Sequence, residues 1–197
     1  MNITFKNDII IIDNAFPDEL CDLFANKILS MEDECVSIHN IPELLDPFNE
    51  YWYSTLEKIF MKTWLFLKED GTSSLYKYTK VELETIQNYA KTVWRDLYVL
   101  NYKFENTSAL NDMIHSDFSN YTFSCGLIDS NNFEGGEVVF PRQDFKIKIN
   151  KGQMIIFPGG LTHPHYTSGI TSGRRLQFIG QSMPQQQDHG FGEDHDR

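Results

Sequence analysis

The second half of the chain is a succession of short β-prone runs, and this pattern limits the available folds more than any other feature. From Asp96 to Gln181 the runs are DLYVLNYKF, YTFSCGLID, GEVVF, FKIKIN, QMIIF and RLQFIG, punctuated by Gly, Asn, Asp and Pro. Strands this short and this closely spaced are accommodated by a barrel or a sandwich. The first half reads differently. IIII at 9–12 is a short branched run, and Pro17, Asp18 and Glu19 then open a helix. Leu20, Leu23, Phe24, Ile28 and Leu29 recur on it at helical spacing. Residues 32–48 are acidic, contain Pro42 and Pro47, and read as loop. Residues 49–68 and 80–95 read as helices around a loop at 69–79. The expected architecture is α+β: N-terminal helices over 1–95 supporting a barrel core over 96–181, together one domain of 1–181. The polar, acidic stretch 182–197 reads as a disordered tail.

A chain of 197 residues suits one such domain. Its formal net charge of -11 argues against nucleic acid, whose phosphates need clustered Lys and Arg, and favours a basic peptide or protein partner. Cys21, Cys35 and Cys125 match no zinc or disulfide spacing and read as reduced thiols of a cytoplasmic protein. The N-terminus shows no basic-then-apolar leader pattern. No apolar run approaches the ~20 residues that span a bilayer, so no membrane association is expected.

The histidines are unevenly placed. His39 is in a loop, and His189 and His195 lie in the tail. His115 lies in MIHSDF, two residues before Asp117. On an extended segment, positions i and i+2 share a face, so an imidazole and a carboxylate can meet one point. Further along, THPHYTSGITSGRR (162–175) offers two histidines, His163 and His165, and two arginines, Arg174 and Arg175. Two histidines and one carboxylate on a single face of a metal are the ligand set of non-haem Fe(II) oxygenases. The residue types alone leave either histidine open as the third ligand. For the arginines, strand alternation places Arg175, Gln177, Ile179 and Gln181 on one face and Arg174, Leu176 and Phe178 on the other. The apolar face suits packing against helices, and the face with Arg175 and Gln177 suits a polar pocket. Arg174 is then expected to reach solvent, and Arg175 to offer bidentate hydrogen bonds to a carboxylate.

These pieces together resemble a family. Tyr102, HSD (115–117), YTFSCGLID, GGEVVF (135–140), NKGQMIIFPG (150–159), PH (164–165) and GRR (173–175) follow the order and approximate spacing of the Fe(II)/2-oxoglutarate-dependent dioxygenases, most closely the prolyl 4-hydroxylase type. IIIIDNAFPDELCDLF is similar to the opening strand and helix of that type. The resemblance spans most of the chain and is weakest over 32–95. It implies a double-stranded β-helix, a jelly-roll or cupin-like barrel. It also implies Fe(II) held by His115, Asp117 and a distal histidine, with 2-oxoglutarate as cosubstrate and ascorbate as an accessory reductant. In that pattern the distal ligand follows a proline and precedes a basic residue by about ten positions, which selects His165 and Arg175. His163 is then left as a solvent histidine or one supporting the ligands. The resemblance further assigns Tyr102 to the 2-oxoglutarate carboxylate, with a core aromatic as the competing reading. Many relatives carry a tyrosine on the strand after H-x-D, whereas here Leu127 is expected at the inward position.

The activity implied is hydroxylation of a protein or peptide side chain, most plausibly proline, with release of succinate and CO2. A hydroxylase of a free amino acid or other small molecule is the alternative, and a non-catalytic cupin-like binding protein is a third. Gly135, Gly136 and Gly152 read as turn or bulge glycines. Residues 69–79 or 105–114 are candidate substrate lids.

Overall fold

A computed structural model describes residues 1–58, 94–104, 113–119 and 121–182. The expected loop at 69–79, residues 59–68 of the expected 49–68 helix, residues 80–93 of the expected 80–95 helix, most of the 105–114 lid and the tail after Ser182 lie outside these residues. The described chain forms β1 (Asn2–Lys6), β2 (Ile9–Asp13), α1 (Asp18–Leu29), β3 (Cys35–Ser37) and α2 (Pro42–Tyr51). It continues with β4 (Trp94–Lys103), β5 (Tyr121–Gly126), β6 (Phe133–Gly135), β7 (Val138–Phe140) and β8 (Phe145–Ile147). It ends with β9 (Met154–Pro158), β10 (Tyr166–Thr167) and β11 (Ile170–Ser182). A larger sheet runs in the order β1-β2-β9-β5-β11-β4-β3 with β6 attached to β11, and a smaller sheet runs β10-β7-β8. Among the described residues every strand pair is antiparallel. This is the two-sheet architecture of a double-stranded β-helix.

The larger sheet is buried on both faces, and the sequence pattern follows from that. On one face Ile10, Ile12, Leu97, Val99, Phe123, Cys125, Met154, Ile156, Leu176 and Phe178 meet α1 and α2. The ring of Phe178 lies 4.8 Å from Phe24 of α1 and 5.0 Å from Phe48 of α2, the latter edge-on. On the other face Ile9, Ile155 and Phe157 meet Val138 and Phe140 of the smaller sheet. The four consecutive isoleucines of β2 are therefore not a broken alternation: Ile9 turns to the inter-sheet side and Ile10 and Ile12 to the helix side.

Two expectations are corrected. Residues 32–48 are not loop, because β3 pairs with β4 and α2 begins at Pro42. Pro42 sits in the first turn, where its missing N–H costs nothing, so it starts the helix rather than breaking it. The helix then passes into a π-helical stretch, Trp52–Leu56. At the other junction, Trp94 and Arg95 belong to strand β4, not to a helix. The first half supplies strands as well as helices: β1, β2 and β3 extend the larger sheet at its two ends.

Candidate functional site

The HSD segment and the PH segment lie side by side. His115 and His165 form an isolated antiparallel bridge, with His115 N–H donating to His165 O at 3.0 Å and His165 N–H to His115 O at 2.8 Å. Gly160 N–H donates to Asp117 O at 2.6 Å, tying the same two segments a second time. The second tie requires close backbone approach. A Cβ on Gly159 would lie 2.0 Å from Ser119 O, so only glycine fits there.

The bridge brings three side chains to one point. One ligand atom from each of His115, Asp117 and His165 falls within a sphere of mutual distances no greater than 4.8 Å. His115 Nε2 is 3.7 Å from Asp117 Oδ1, and His165 Nε2 is 3.8 Å from Asp117 Oδ2. Each imidazole is oriented by its other nitrogen: His115 Nδ1 lies 3.1 Å from Met113 O, and His165 Nδ1 lies 3.1 Å from His163 O. A carbonyl oxygen only accepts, so each Nδ1 carries the proton and each Nε2 turns its lone pair toward the carboxylate. Three ligands on one face, with both imidazoles in the metal-binding tautomer, fit an Fe(II) ion with open positions.

The carboxylate is held at both oxygens. Thr122 Oγ1 donates to Asp117 Oδ2 at 2.6 Å, and Gln181 Nε2 donates to Asp117 Oδ1 at 3.1 Å. Asp117 and His165 are buried, whereas the His115 side chain is 48% exposed, so the site opens to solvent on its side. Tyr98, whose hydroxyl is 3.5 Å from Gln181 Nε2, has its pKa raised by burial and, secondarily, by the Asp117 charge.

The sequence-selected cosubstrate residues lie deeper between the sheets. Arg175 on β11 is opposite Tyr102 on β4, and its guanidinium carbon is 6.0 Å from the Tyr102 ring centroid. Both are buried. Directly opposed antiparallel residues share a face, so the two side chains project together into the inter-sheet space. Gly136 makes room for them, since at φ +72 a Cβ would meet Arg175 Cδ at 2.9 Å. Gln177 lies on the Arg175 side of β11, and Ser124 on β5 is opposite Ile179 of the same face. Both are buried, and among the described residues neither Gln177 Nε2 nor Ser124 Oγ has a hydrogen-bond partner. Buried polar atoms without partners beside an arginine are the lining expected for a polar, anionic ligand such as 2-oxoglutarate.

Three expectations change here. His163 is not a solvent histidine. It is buried, with Nδ1 3.0 Å from Thr162 Oγ1 and Nε2 3.1 Å from Asn7 O, and burial lowers its pKa. Its contribution to the site is its carbonyl, which orients His165. Arg174 does not reach free into solvent. Its Nε donates to Asn101 Oδ1 at 2.7 Å and a terminal nitrogen to Leu29 O at 3.3 Å, capping the end of α1. Leu127 does not face inward. It joins Phe123 and Cys125 in the helix-side core, which leaves Thr122 and Ser124 as the inward residues of that strand. Thr122 and Ser124 carried no motif signal of their own. Gln181 had one, through its alternation with Arg175.

No protein-family profile matches the chain. A PKHD-type hydroxylase of Prochlorococcus marinus (strain MIT 9312) is 31% identical over 72 residues, and the match spans 36% of this chain and 32% of that protein. Among solved structures, the viral collagen prolyl hydroxylase of Paramecium Bursaria Chlorella virus-1, in its 2OG complex, superposes with a TM-score of 0.55 at 18% identity, covering 90% of this chain and 97% of that one. A prolyl hydroxylase in complex with a hypoxia inducible factor oxygen degradation domain peptide fragment, from Trichoplax adhaerens, gives a TM-score of 0.55 at 14% identity, covering 90% and 84%. At these identities the superpositions establish the shared fold.

Proposed function

We propose that this chain, which has the double-stranded β-helix of the Fe(II)/2-oxoglutarate-dependent dioxygenases and resembles their prolyl 4-hydroxylase type, hydroxylates a protein or peptide side chain, most plausibly peptidyl-proline. The observation that carries the proposal is the cluster of His115, Asp117 and His165, with both Nε2 atoms turned to one carboxylate. His115, Asp117 and His165 would hold Fe(II), and Arg175, with Tyr102, would hold the far carboxylate of 2-oxoglutarate. With 2-oxoglutarate and O2, a metal held there would supply the oxidation that converts a substrate C–H to C–OH, with release of succinate and CO2. Ascorbate is the accessory reductant expected to keep the metal ferrous.

The chain's own residues do the rest. Arg175 is permanently charged and buried, so it selects an anion and fixes its direction. Phe140 and Phe157, whose rings lie 5.5 and 4.8 Å from the His165 ring, keep water from the inner side of the metal position. Thr122 and Gln181, donating to one oxygen each, hold the Asp117 carboxylate in place. With the Asp117 carboxylate as the third ligand, its place is not open to a halide, and hydroxylation is the favoured outcome.

The rim of the site favours a macromolecular substrate over a small molecule. Met113, Ile114, Phe118 and Leu161 are 86%, 62%, 81% and 81% exposed, and all four lie within four residues of a proposed ligand. An open, apolar rim suits a chain laid across the metal, whereas a free amino acid calls for a closed pocket. The net charge of -11 favours a basic substrate and disfavours nucleic acid. No described helix is long and apolar enough to cross a membrane. A cytoplasmic location is proposed from the spacing of Cys21, Cys35 and Cys125, which matches no disulfide framework.

Anaerobic addition of Fe(II) and 2-oxoglutarate is expected to produce a weak visible absorption, lost in His115→Ala and Asp117→Ala. Mass spectrometry of a proline-containing peptide library, after incubation with Fe(II), ascorbate and 2-oxoglutarate, is expected to show one added oxygen on proline. Absence of the absorption, together with no succinate from any peptide, would refute the enzyme; an added oxygen only on free amino acids would select the small-molecule reading.

A further inference from the structure

The start of strand β4 contains an irregularity beside the candidate metal centre. Gln181 of β11 is opposite Asp96 and Ser182 is opposite Trp94, so Arg95 is the extra residue of a β-bulge. Regular alternation would turn Trp94 to the same side as Asp96 and Arg95 to the helix side. With the bulge, Trp94 lies in the helix-side core, its ring 4.6 Å from Trp52. Arg95 is turned toward the site.

There its guanidinium makes three bonds. Nε donates to Asp96 Oδ2 at 2.6 Å, one terminal nitrogen donates to Phe118 O, and the other donates to Gln181 Oε1. Arginine is donor-only, so it fixes the sense of the Gln181 amide: oxygen toward Arg95, nitrogen toward Asp117. Gln181 Nε2 then donates to Asp117 Oδ1 at 3.1 Å. Phe118 is the residue after Asp117, so its carbonyl is a second handle on the same carboxylate. Arg95 thus grips Asp117 twice, once through a side chain and once through the backbone.

Resting on the metal reading above, we infer that Arg95 and Gln181 are positioning residues for the carboxylate ligand and that the β4 bulge exists to aim Arg95 at them. Neither residue contacts the metal position. Their task is to hold Asp117 in the one orientation in which it meets both imidazoles. Partners of metal ligands at this remove typically contribute about 10- to 100-fold in metal affinity.

The test measures the affinity of the full chain for Mn(II), as a redox-stable probe of the Fe(II) position, by electron paramagnetic resonance without cosubstrate. Gln181→Leu and Arg95→Met are each expected to weaken binding about tenfold or more. Arg95→Lys keeps a donor for Gln181 but cannot also grip Phe118, so it is expected to fall between Arg95→Met and the unaltered chain. The double variant Arg95→Met/Gln181→Leu is expected to lose less than the product of the single losses, because the two act along one path. Thermal melts without metal identify any variant that fails to fold, and Arg95→Lys, the mildest change, then carries the comparison. Equal Mn(II) affinity in the unaltered chain and the folded variants overturns this inference alone. No Mn(II) binding by the unaltered chain removes the metal reading, and this inference with it.

Discussion

His163 and His165 carry the same side chain two positions apart, and hydrogen bonding gives them different work. His163 turns its two ring nitrogens to Thr162 and Asn7, while His165 turns Nδ1 to a carbonyl and Nε2 to Asp117. His165→Ala is therefore expected to abolish Mn(II) binding in a calorimetric titration. His163→Ala is expected to retain the binding but lower unfolding stability by about 1–3 kcal/mol, because the buried imidazole and its contacts with Thr162 and Asn7 are lost. A lost metal site in His163→Ala with unchanged stability would reverse the assignment. The thiols separate in a similar way. Cys21 and Cys125 are buried, and burial raises the Cys21 pKa to about 11 and that of Cys125 well above its ordinary value. Cys35 is exposed. At pH 8 the native chain is expected to titrate one thiol with a disulfide reagent and three after denaturation. The Cys21 shift also sets a sign. Its thiol stays protonated in the fold to a higher pH than in the unfolded chain, so its stabilising contribution is complete below about pH 9 and is lost as pH rises toward 11.

At the scale of elements, strand β11 does most of the organising. One face carries Leu176 and Phe178 into the helix-packed core, and the other carries Arg175, Gln177 and Gln181 past the site. This two-sidedness was legible in RRLQFIGQ, because period-2 alternation is a local property of an extended chain. Arg95 was not legible, since its direction depends on a bulge that only the pairing of two distant strands creates. Leu127 was misread for a related reason: its side follows from where β5 pairs with β11, not from its distance to HSD. The space around Arg175 is likewise tertiary. Gly136→Ala places a Cβ 2.9 Å from Arg175 Cδ at a left-handed φ. It is expected to cost about 1–3 kcal/mol of stability and to raise the KM for 2-oxoglutarate. Arg175→Met is expected to raise the same KM with little change in Mn(II) affinity. If both variants bind 2-oxoglutarate normally, Arg175 does not hold the cosubstrate.

At the scale of the whole molecule, the aromatic core and the candidate site sit on opposite faces of one sheet. Phe48 packs on Phe16, Trp52, Trp94, Phe123 and Phe178, all on the helix side. Phe48→Ala is expected to cost about 3–5 kcal/mol, measured by denaturant unfolding, and to leave Mn(II) affinity of the folded fraction unchanged. A parallel fall in affinity would mean that the helices, and not the strands alone, set the ligand geometry. The amino-acid sequence by itself determined the strand-rich second half, the first helix, the shared face of the H-x-D pair and the side of β11 on which Arg175 lies, while the choice of His165 over His163 came from the resemblance to a family pattern. Each of the first four is written in spacing, periodicity or residue chemistry that local backbone geometry converts directly into structure. Tertiary structure alone decided that β1, β2 and β3 extend the barrel sheet, that His163 lends only its carbonyl, and that Arg95 and Gln181 hold Asp117. Those outcomes depend on contacts between segments far apart in the chain, and backbone pairing there, not side-chain pattern, chooses the partners.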